Sequence, residues 1–380
     1  MSSNLARRCA ILLSAIPVAA FAQATPAASG LTLYGNFDEY IGWMRSDSGA
    51  HAVGLNDGAI LRSRLGVRGG EDLGNGYGMT YTLEMGLNAD NGSGADTGRV
   101  FDRQSWVGLA TPLGELRVGR QNTAIFSIGG AIDYTERTTF GSVINTFGVP
   151  SRYNNDVSFQ SLRWHGLALS LHAAAAENSS TARNSPLYQA ALDYQSGPWR
   201  AGYAGLLARP DRSTATVTDR VVYHNLYLNY RYGKGTLYAA AVRSNNATDS
   251  ANGATAGTIL SNIGDRNNFF AGLDPNARRY FNIWQLSADY RILPQMKIGA
   301  LYGQIRDTSG NDAGARGGNV GAFYELSKRT TLYGFASVLQ NGRNGGFRFL
   351  GSAGPSVNLS GADVDGRKLT GLQIGILHRF

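Results

Sequence analysis

The stretch "RSRLGVRGGEDLGNGYG", residues 62–78, sets Arg62, Arg64, Gly66 and Arg68 on one face of an extended chain. Leu65 and Val67, with Leu61 ahead of them, take the other face. One face therefore asks for water and the other for an apolar medium. Turning the arginines into a bilayer would cost about 2–4 kcal/mol each at the midplane. The reading that satisfies both faces is a strand with a wet lumen on one side and lipid on the other. The glycine-rich "GGEDLGNGYG" is then a hairpin turn, not a phosphate cradle.

Outward from this hairpin the same pattern recurs. Segments of about ten residues alternate apolar with polar or small, and a turn cluster follows each. Sixteen are predicted: 31–43, 58–69, 76–88, 101–111, 114–122, 156–164, 166–176, 187–196, 198–208, 221–231, 235–244, 280–291, 294–306, 317–327, 330–340 and 368–380. The connections alternate short and long. "TPLGE", "YGKG" and "LSKRT" are short; residues 46–59, 88–99, 245–279 and 341–367 are long and polar. Short turns at one end and long loops at the other are what an outer-membrane barrel shows. An even strand number lets the ends meet and abolishes edges.

Composition agrees. The 380 residues are 43% hydrophobic and 16% charged, with 50 Gly and 19 Tyr, which suits many strands and tight turns better than a helical enzyme. No apolar run long enough for a membrane helix follows residue 22. Residues 1–22 read as a cleaved secretory signal, with Arg7 and Arg8, an apolar core and Ala20-Phe21-Ala22 as the cleavage site. Residues 23–380 form the barrel. Cleavage takes away the one cysteine, Cys9, so disulfides and thiol chemistry are not expected. It also removes two cations and no acid, so net charge falls from +8 to +6. The remaining cations are spread among acids in an exported chain, and nucleic acid is not an expected partner.

On the fourth segment Arg103 and Ser105 share a face, with Trp106 opposite; on the fifth, parity separates Arg117 from Arg120, and Arg120 is placed near the pore mouth. Residues 122–153 break the pattern: some thirty residues, fairly apolar, without period-two order. Such loops are usually functional. Folded into the barrel, this one would hide its Ile and Phe against the wall. Asp133 and Glu136 would then face wall arginines across a narrow waist that filters by size and field. A lid or a subunit contact is the alternative. Trp43, Tyr77, Tyr81, Trp106, Tyr238, Trp284 and Tyr333 are expected in the interface girdles.

Several of these residues carry a resemblance. "LTLYGNFDEYIG", "SRLGVRGGEDLGNGYGMTYTLEMGL", "FDRQSWVGLATPLGELRVGRQ", "LSKRTTLYGFAS" and the final "GILHRF" resemble, in order and spacing, the trimeric general porins of Gram-negative outer membranes, particularly the β-proteobacterial branch. The resemblance implies a 16-stranded antiparallel transmembrane β-barrel, a homotrimer, a third loop folded inward, and passive diffusion of small hydrophilic solutes and ions without a cofactor. By position it implies Arg64, Arg68, Arg103 and Arg152 as eyelet cations and Asp133 and Glu136 as loop acids. It also implies that Ile374, Ile376, His378 and Phe380 are the signal read by the outer-membrane assembly machinery. Two positions depart from the family: Asp156 stands where Ser is usual, and Phe159 where an aromatic hydroxyl is usual.

The rivals are a barrel enzyme, a substrate-selective channel and an adhesin. An enzyme would need a nucleophile and base. The five histidines, His51, His165, His172, His224 and His378, are scattered outside any such motif, and no metal-ligand spacing appears. An excess of lumen arginine would favour anions.

Overall fold

The protein is described from a computed structural model, covering residues 30–96, 98–174, 187–208, 221–245, 280–350, 355 and 357–380. The signal segment, and nearly all of the long polar connection expected at 245–279, lie outside the described residues. The chain forms one antiparallel sheet rolled shut. Its strands are β1 Gly30–Ser46, β2 in two pieces (His51–Asp57 and Arg64–Gly74), β3 Tyr77–Asn88, β4 Gln104–Thr111, β5 Gly114–Asn122, β6 Arg152–Ser161, β7 Leu167–Ala174 and β8 Leu187–Ser196. They continue as β9 Trp199–Ala208, β10 Val221–Tyr232, β11 Gly235–Ser244, β12 Phe281–Leu293, β13 Met296–Asp307, β14 Ala315–Glu325, β15 Thr330–Asn341 and β16 Lys368–Arg379. Each pairs with its neighbours in sequence, and β16 closes on β1 from Asn36↔Arg379 to Ser46↔Leu369. This is the expected closed 16-stranded barrel, with every strand paired on both sides.

Period-two alternation sorts the side chains. Leu31, Ile41, Leu55, Leu116, Leu226, Leu286, Val320 and Ile374 point outward and are bare, Ile374 to 73%. A protein surrounded by water does not keep so continuous an apolar belt exposed. In a bilayer the same belt is solvated by acyl chains.

The predicted spans match the strands closely except at β2. The segment expected at 58–69 is broken: residues 58–63 leave the ladder, and the supposed loop 46–59 is mostly hairpin, His51–Asp57 pairing with β1. The break is held by Asp38 on β1. Its carboxylate accepts the backbone N–H of Ile60 at 2.8 Å and of Leu61 at 2.7 Å, and Gly58 turns the chain at φ +74°. Parity counting cannot see a buried acid that takes backbone donors away from the ladder.

Arg117 and Arg120 are corrected the same way. Parity puts them on opposite faces, yet both point inward, because β5 carries a bulge between Gly119 and Gln121. Gly119 sits at φ +133°, and a Cβ there would lie 2.3 Å from the Ser105 carbonyl. Gly119→Ala should therefore destabilise the barrel by about 1–3 kcal/mol, read as a lower midpoint for loss of the heat-resistant folded band on gels. An unchanged midpoint would mean that the bulge is not what aims Arg120 inward.

Three of the expected girdle aromatics are corrected too. Trp106 lies inside with the Arg117 guanidinium 4.2 Å over its ring. Tyr238 donates inward to Asp289 at 3.0 Å, and buried Tyr333 donates to Asp38. Trp43, Tyr77, Tyr81 and Trp284 do face outward. They are joined by Tyr194, Trp199, Tyr230, Tyr290 and Tyr324 near the turn ends.

Candidate pore constriction

Residues 123–151, the third loop, run inside the barrel. Thr123 caps the first short helix, Ala124–Ser127, by accepting the Phe126 N–H, and Ser142 caps the second, Val143–Phe147. Ile125, Ile128, Ile132, Tyr134, Phe140, Ile144 and Phe147 are all buried. They meet an apolar patch that the wall shows on its inner face: Leu187, Tyr223, Phe281, Phe323 and Phe335. The wall also leaves room for them. A Cβ on Gly299 would lie 2.3 Å from the Tyr134 ring, and one on Gly371 2.5 Å from that of Phe140.

Inward-facing amides and hydroxyls then hold the loop backbone. Gln189 accepts the Ala124 N–H at 3.0 Å and Gln285 that of Ile144 at 3.0 Å. Gln373 accepts the Phe140 N–H at 3.3 Å, Asn319 donates to the Gly141 carbonyl at 2.5 Å, and Ser337 donates to the Phe140 carbonyl. The Thr139 N–H reaches the Ala59 carbonyl at 3.0 Å, so the break in β2 is also a docking point. A buried loop must satisfy its backbone groups, and here the alternating polar positions of β8, β12, β14, β15 and β16 do so. The loop after β15 joins it: Phe349 stacks on Phe140 at 4.8 Å, and Phe347 is fully buried beside Phe147. In the sequence, "GFRFL" reads only as part of a long polar outer loop.

The opposite wall carries the arginines. Arg103 is 1% exposed and donates Nε–H to Glu84 at 2.7 Å. Glu84 lies 3.7 Å from Arg64, whose side chain stays 15% exposed, and it also accepts the Tyr34 hydroxyl at 3.0 Å. Arg62 donates to Asn88 at 2.7 Å. Arg120 donates to the Asp102 carbonyl at 2.5 Å and to Asn154 at 2.6 Å. Arg152 lies 4.9 Å from the Phe126 ring, and Arg137 of the loop lies 4.1 Å from the same ring. Arg68 sits apart, exposed toward the turn end and 5.2 Å over Tyr34.

The two loop acids lie elsewhere. Asp133 is buried, its carboxylate accepting Thr135 at 2.9 Å and Gln285 of β12 at 2.8 Å. Glu136 sits at φ +55°, half-buried, on the side of Tyr238. Among the described residues neither forms an ion pair with a wall arginine. The loop residue brought to the arginine wall is Arg137, which no periodicity in the sequence singles out.

A second cluster is equally silent in the sequence. Asp156 accepts from His172 Nδ1 at 2.7 Å, and His172 Nε2 lies 3.0 Å from Ser170 Oγ. The order Ser–His–Asp is that of a hydrolase triad. The His172 and Asp156 side chains are 1% and 0% exposed, so no substrate carbonyl reaches them. The cluster explains why Asp occupies position 156: it is the partner of an inward-facing histidine across the β6–β7 pair.

A family profile described as Gram-negative porin matches residues 10–344. An outer membrane porin protein of Bordetella pertussis is 27% identical, covering 97% of this chain and 99% of its own length. The major outer membrane protein P.IB of Neisseria meningitidis is 28% identical over 91% of this chain and 96% of its own. Among solved structures, an anion-selective porin from Comamonas acidovorans superposes with a TM-score of 0.74 at 22% identity, covering 93% of this chain and all of its own. The trimer form of OmpT from Vibrio cholerae superposes at 0.63, with 13% identity and coverage of 93% and 100%.

Proposed function

The chain belongs to the Gram-negative porin family, is a channel-forming protein of the outer membrane, and from that premise we propose a passive diffusion pore for small hydrophilic solutes and ions that leans toward anions. One observation carries the anion preference. Arg62, Arg64, Arg103, Arg120 and Arg152 converge on the carboxylates of Glu84, Asp102 and Asp57, and Arg137 of the loop on that of Asp133, so that six cations meet four acids and two positive charges are in excess. Arg103, Arg120, Arg137 and Arg152 each keep guanidinium N–H groups without a protein acceptor among the described residues. These N–H groups are buried, so they act on a passing ion through the field of their charge, which favours an anion over a cation. The likeness to the anion-selective porin of Comamonas acidovorans supports the same direction.

In this reading the third loop, about residues 122–153, is the constriction. Arg62, Arg64, Arg103, Arg120 and Arg152 supply the basic wall, Arg68 lies outside it toward the turn end, and Asp133 and Glu136 are the acid-bearing side of the loop. Residues 1–22 are the cleaved export signal. The functional unit is a homotrimer, supported by the trimer form of the Vibrio cholerae neighbour. Ile374, Ile376, His378 and Phe380 are the segment recognised by the assembly machinery. The Phe380 ring lies 5.7 Å from that of Phe37, and its carbonyl accepts the Gly35 N–H at 3.1 Å, so the same residues also form the seam. In this reading the serine–histidine–aspartate cluster, with its His172 and Asp156 side chains buried, serves the wall rather than hydrolysis.

Reversal potential in a planar bilayer under a KCl gradient tests the proposal. Conductance steps in groups of three with chloride preference are expected. Cation-leaning steps would overturn the charge map, and folded protein that gives no steps would overturn the channel.

A further inference from the structure

Between the two pieces of β2, residues 58–63 leave the ladder and run beside β1 as a strap. Leaving a ladder strands backbone groups, and two inward side chains of β1 take them up. Asp38 accepts the Ile60 and Leu61 amides through a single carboxylate oxygen. Its own N–H donates to Ser63 Oγ at 2.9 Å, and its carbonyl accepts the Gly58 N–H at 2.6 Å. Asn36, two residues earlier, donates its side-chain amide to the Leu61 carbonyl at 3.3 Å and to the Arg62 carbonyl at 3.2 Å. The strap is thus registered on β1 from Gly58 to Ser63. The residues that seat it are out of reach of a passing ion: Asp38 is 0% exposed and Asn36 4%.

Both sides of the waist are tied to this strap. On the wall side, Arg62 is itself a strap residue, so its backbone goes where the strap goes. Arg64 begins the second piece of β2, and its Nε–H donates to the Arg62 carbonyl at 2.9 Å, the same carbonyl that Asn36 holds. Glu84 lies 3.7 Å from Arg64, beyond hydrogen-bond range, so the strap carbonyl is the acceptor that aims this guanidinium. A guanidinium is a rigid fork and follows its acceptor. On the loop side, the Ala59 carbonyl takes the Thr139 hydroxyl at 3.3 Å as well as the Thr139 N–H. One segment of six residues therefore carries two wall cations and a backbone anchor of the third loop.

We propose, on the reading of this waist as an anion-favouring filter, that Asp38 and Asn36 are positioning residues for ion selectivity: by seating the strap on β1 they set how far Arg62 and Arg64 stand from the ion path. The field of a charge falls with distance, so an arginine that retreats by a few ångströms acts less on a passing ion. Asp38 makes the idea sharply testable, because it is a carboxylate among arginines. By charge alone, its removal favours chloride. By position, its removal frees the strap, lets the arginines retreat and favours potassium. Charge and position therefore predict opposite signs.

The test is the reversal potential under a KCl gradient for folded wild type, Asp38→Ala, Asp38→Asn and Asn36→Ala. Alanine at 38 leaves the Ile60 and Leu61 amides without their acceptor. Asparagine keeps a carbonyl oxygen for both amides and turns its NH2 toward the Tyr333 hydroxyl, which also serves as an acceptor. Asp38→Ala is expected to move the chloride-to-potassium permeability ratio about two- to threefold toward potassium. Asp38→Asn, with the same acid removed, should stay at the wild-type ratio or move toward chloride. Asn36→Ala alters no charge and should move the ratio in the same direction as Asp38→Ala by a smaller factor; it decides the matter if Asp38→Ala yields no folded barrel. Equal shifts toward chloride in both Asp38 variants would leave Asp38 as a charge only and overturn the positioning role. A wild-type ratio in folded Asn36→Ala would overturn it as well. A wild type without chloride preference would instead overturn the proposed function, and this role with it.

Discussion

Deleting residues 124–150 and joining Thr123 to Ser151 through a short glycine turn is expected to raise single-channel conductance roughly two- to threefold, as the open cross-section widens. The junction already exists. The Thr123 N–H donates to the Ser151 carbonyl at 2.9 Å, and the Thr123 hydroxyl donates to the Pro150 carbonyl at 2.7 Å. The loop therefore enters and leaves the lumen at one point, and cutting it there does not pull β5 from β6. The barrel should still close, because every strand is paired on both sides without the loop. Its midpoint for thermal unfolding should nonetheless fall. Leu187, Tyr223, Phe281, Phe323 and Phe335 would meet water, and burying each such side chain stabilises by about 1.5–3 kcal/mol. A lower midpoint with unchanged conductance would make the loop a packed lid outside the path of the ions.

That deletion touches the part of the molecule that sequence describes most loosely. The barrel is legible because each strand must repeat one instruction, apolar outward and polar or small inward, and the sum of sixteen repeats outweighs local noise. Errors arise where a single residue overrides period two. Asp38 takes two amides away from β2, and Gly119 adds a residue to β5, so the faces of Arg62 and Arg120 depend on contacts far off in sequence. Trp106, Tyr238 and Tyr333 mislead for a related reason. An aromatic beside an alternating apolar row reads as girdle unless its partner, Arg117, Asp289 or Asp38, is known to be inside. The inward course of the third loop is readable from its apolarity. Its register is not, because it is fixed by Gln189, Gln285, Asn319 and Gln373, four polar residues that look like ordinary lumen wall until the loop backbone is seen on them. The same limit hides Arg137 and turns Asp133 toward β12.

The arginine wall is tested by Arg64→Glu, for which a shift of the chloride-to-potassium permeability ratio toward the cation, roughly five- to tenfold, is expected. The substitution changes a partly exposed wall charge by two units. One unit charge at about 4 Å in water is worth about 1 kcal/mol before salt screening, and a tenfold ratio needs about 1.4 kcal/mol. Arg103→Glu should push the ratio in the same direction, but with another outcome for the protein. Arg103 is sealed against Glu84, and removing one member of a buried pair costs about 3–5 kcal/mol. The new carboxylate would face the old one. Fewer folded barrels are therefore expected from Arg103→Glu, whereas Arg64→Glu, at a side chain 15% exposed and 3.7 Å from Glu84, should lose less of its yield. The pair of variants separates two duties within one cluster: Arg64 presents charge to the passing ion, and Arg103 fixes the Glu84 carboxylate that orients Arg64. If Arg64→Glu folds normally and leaves the permeability ratio unchanged, Arg64 does not line the waist, and the positive field must come from Arg62, Arg137 and Arg152.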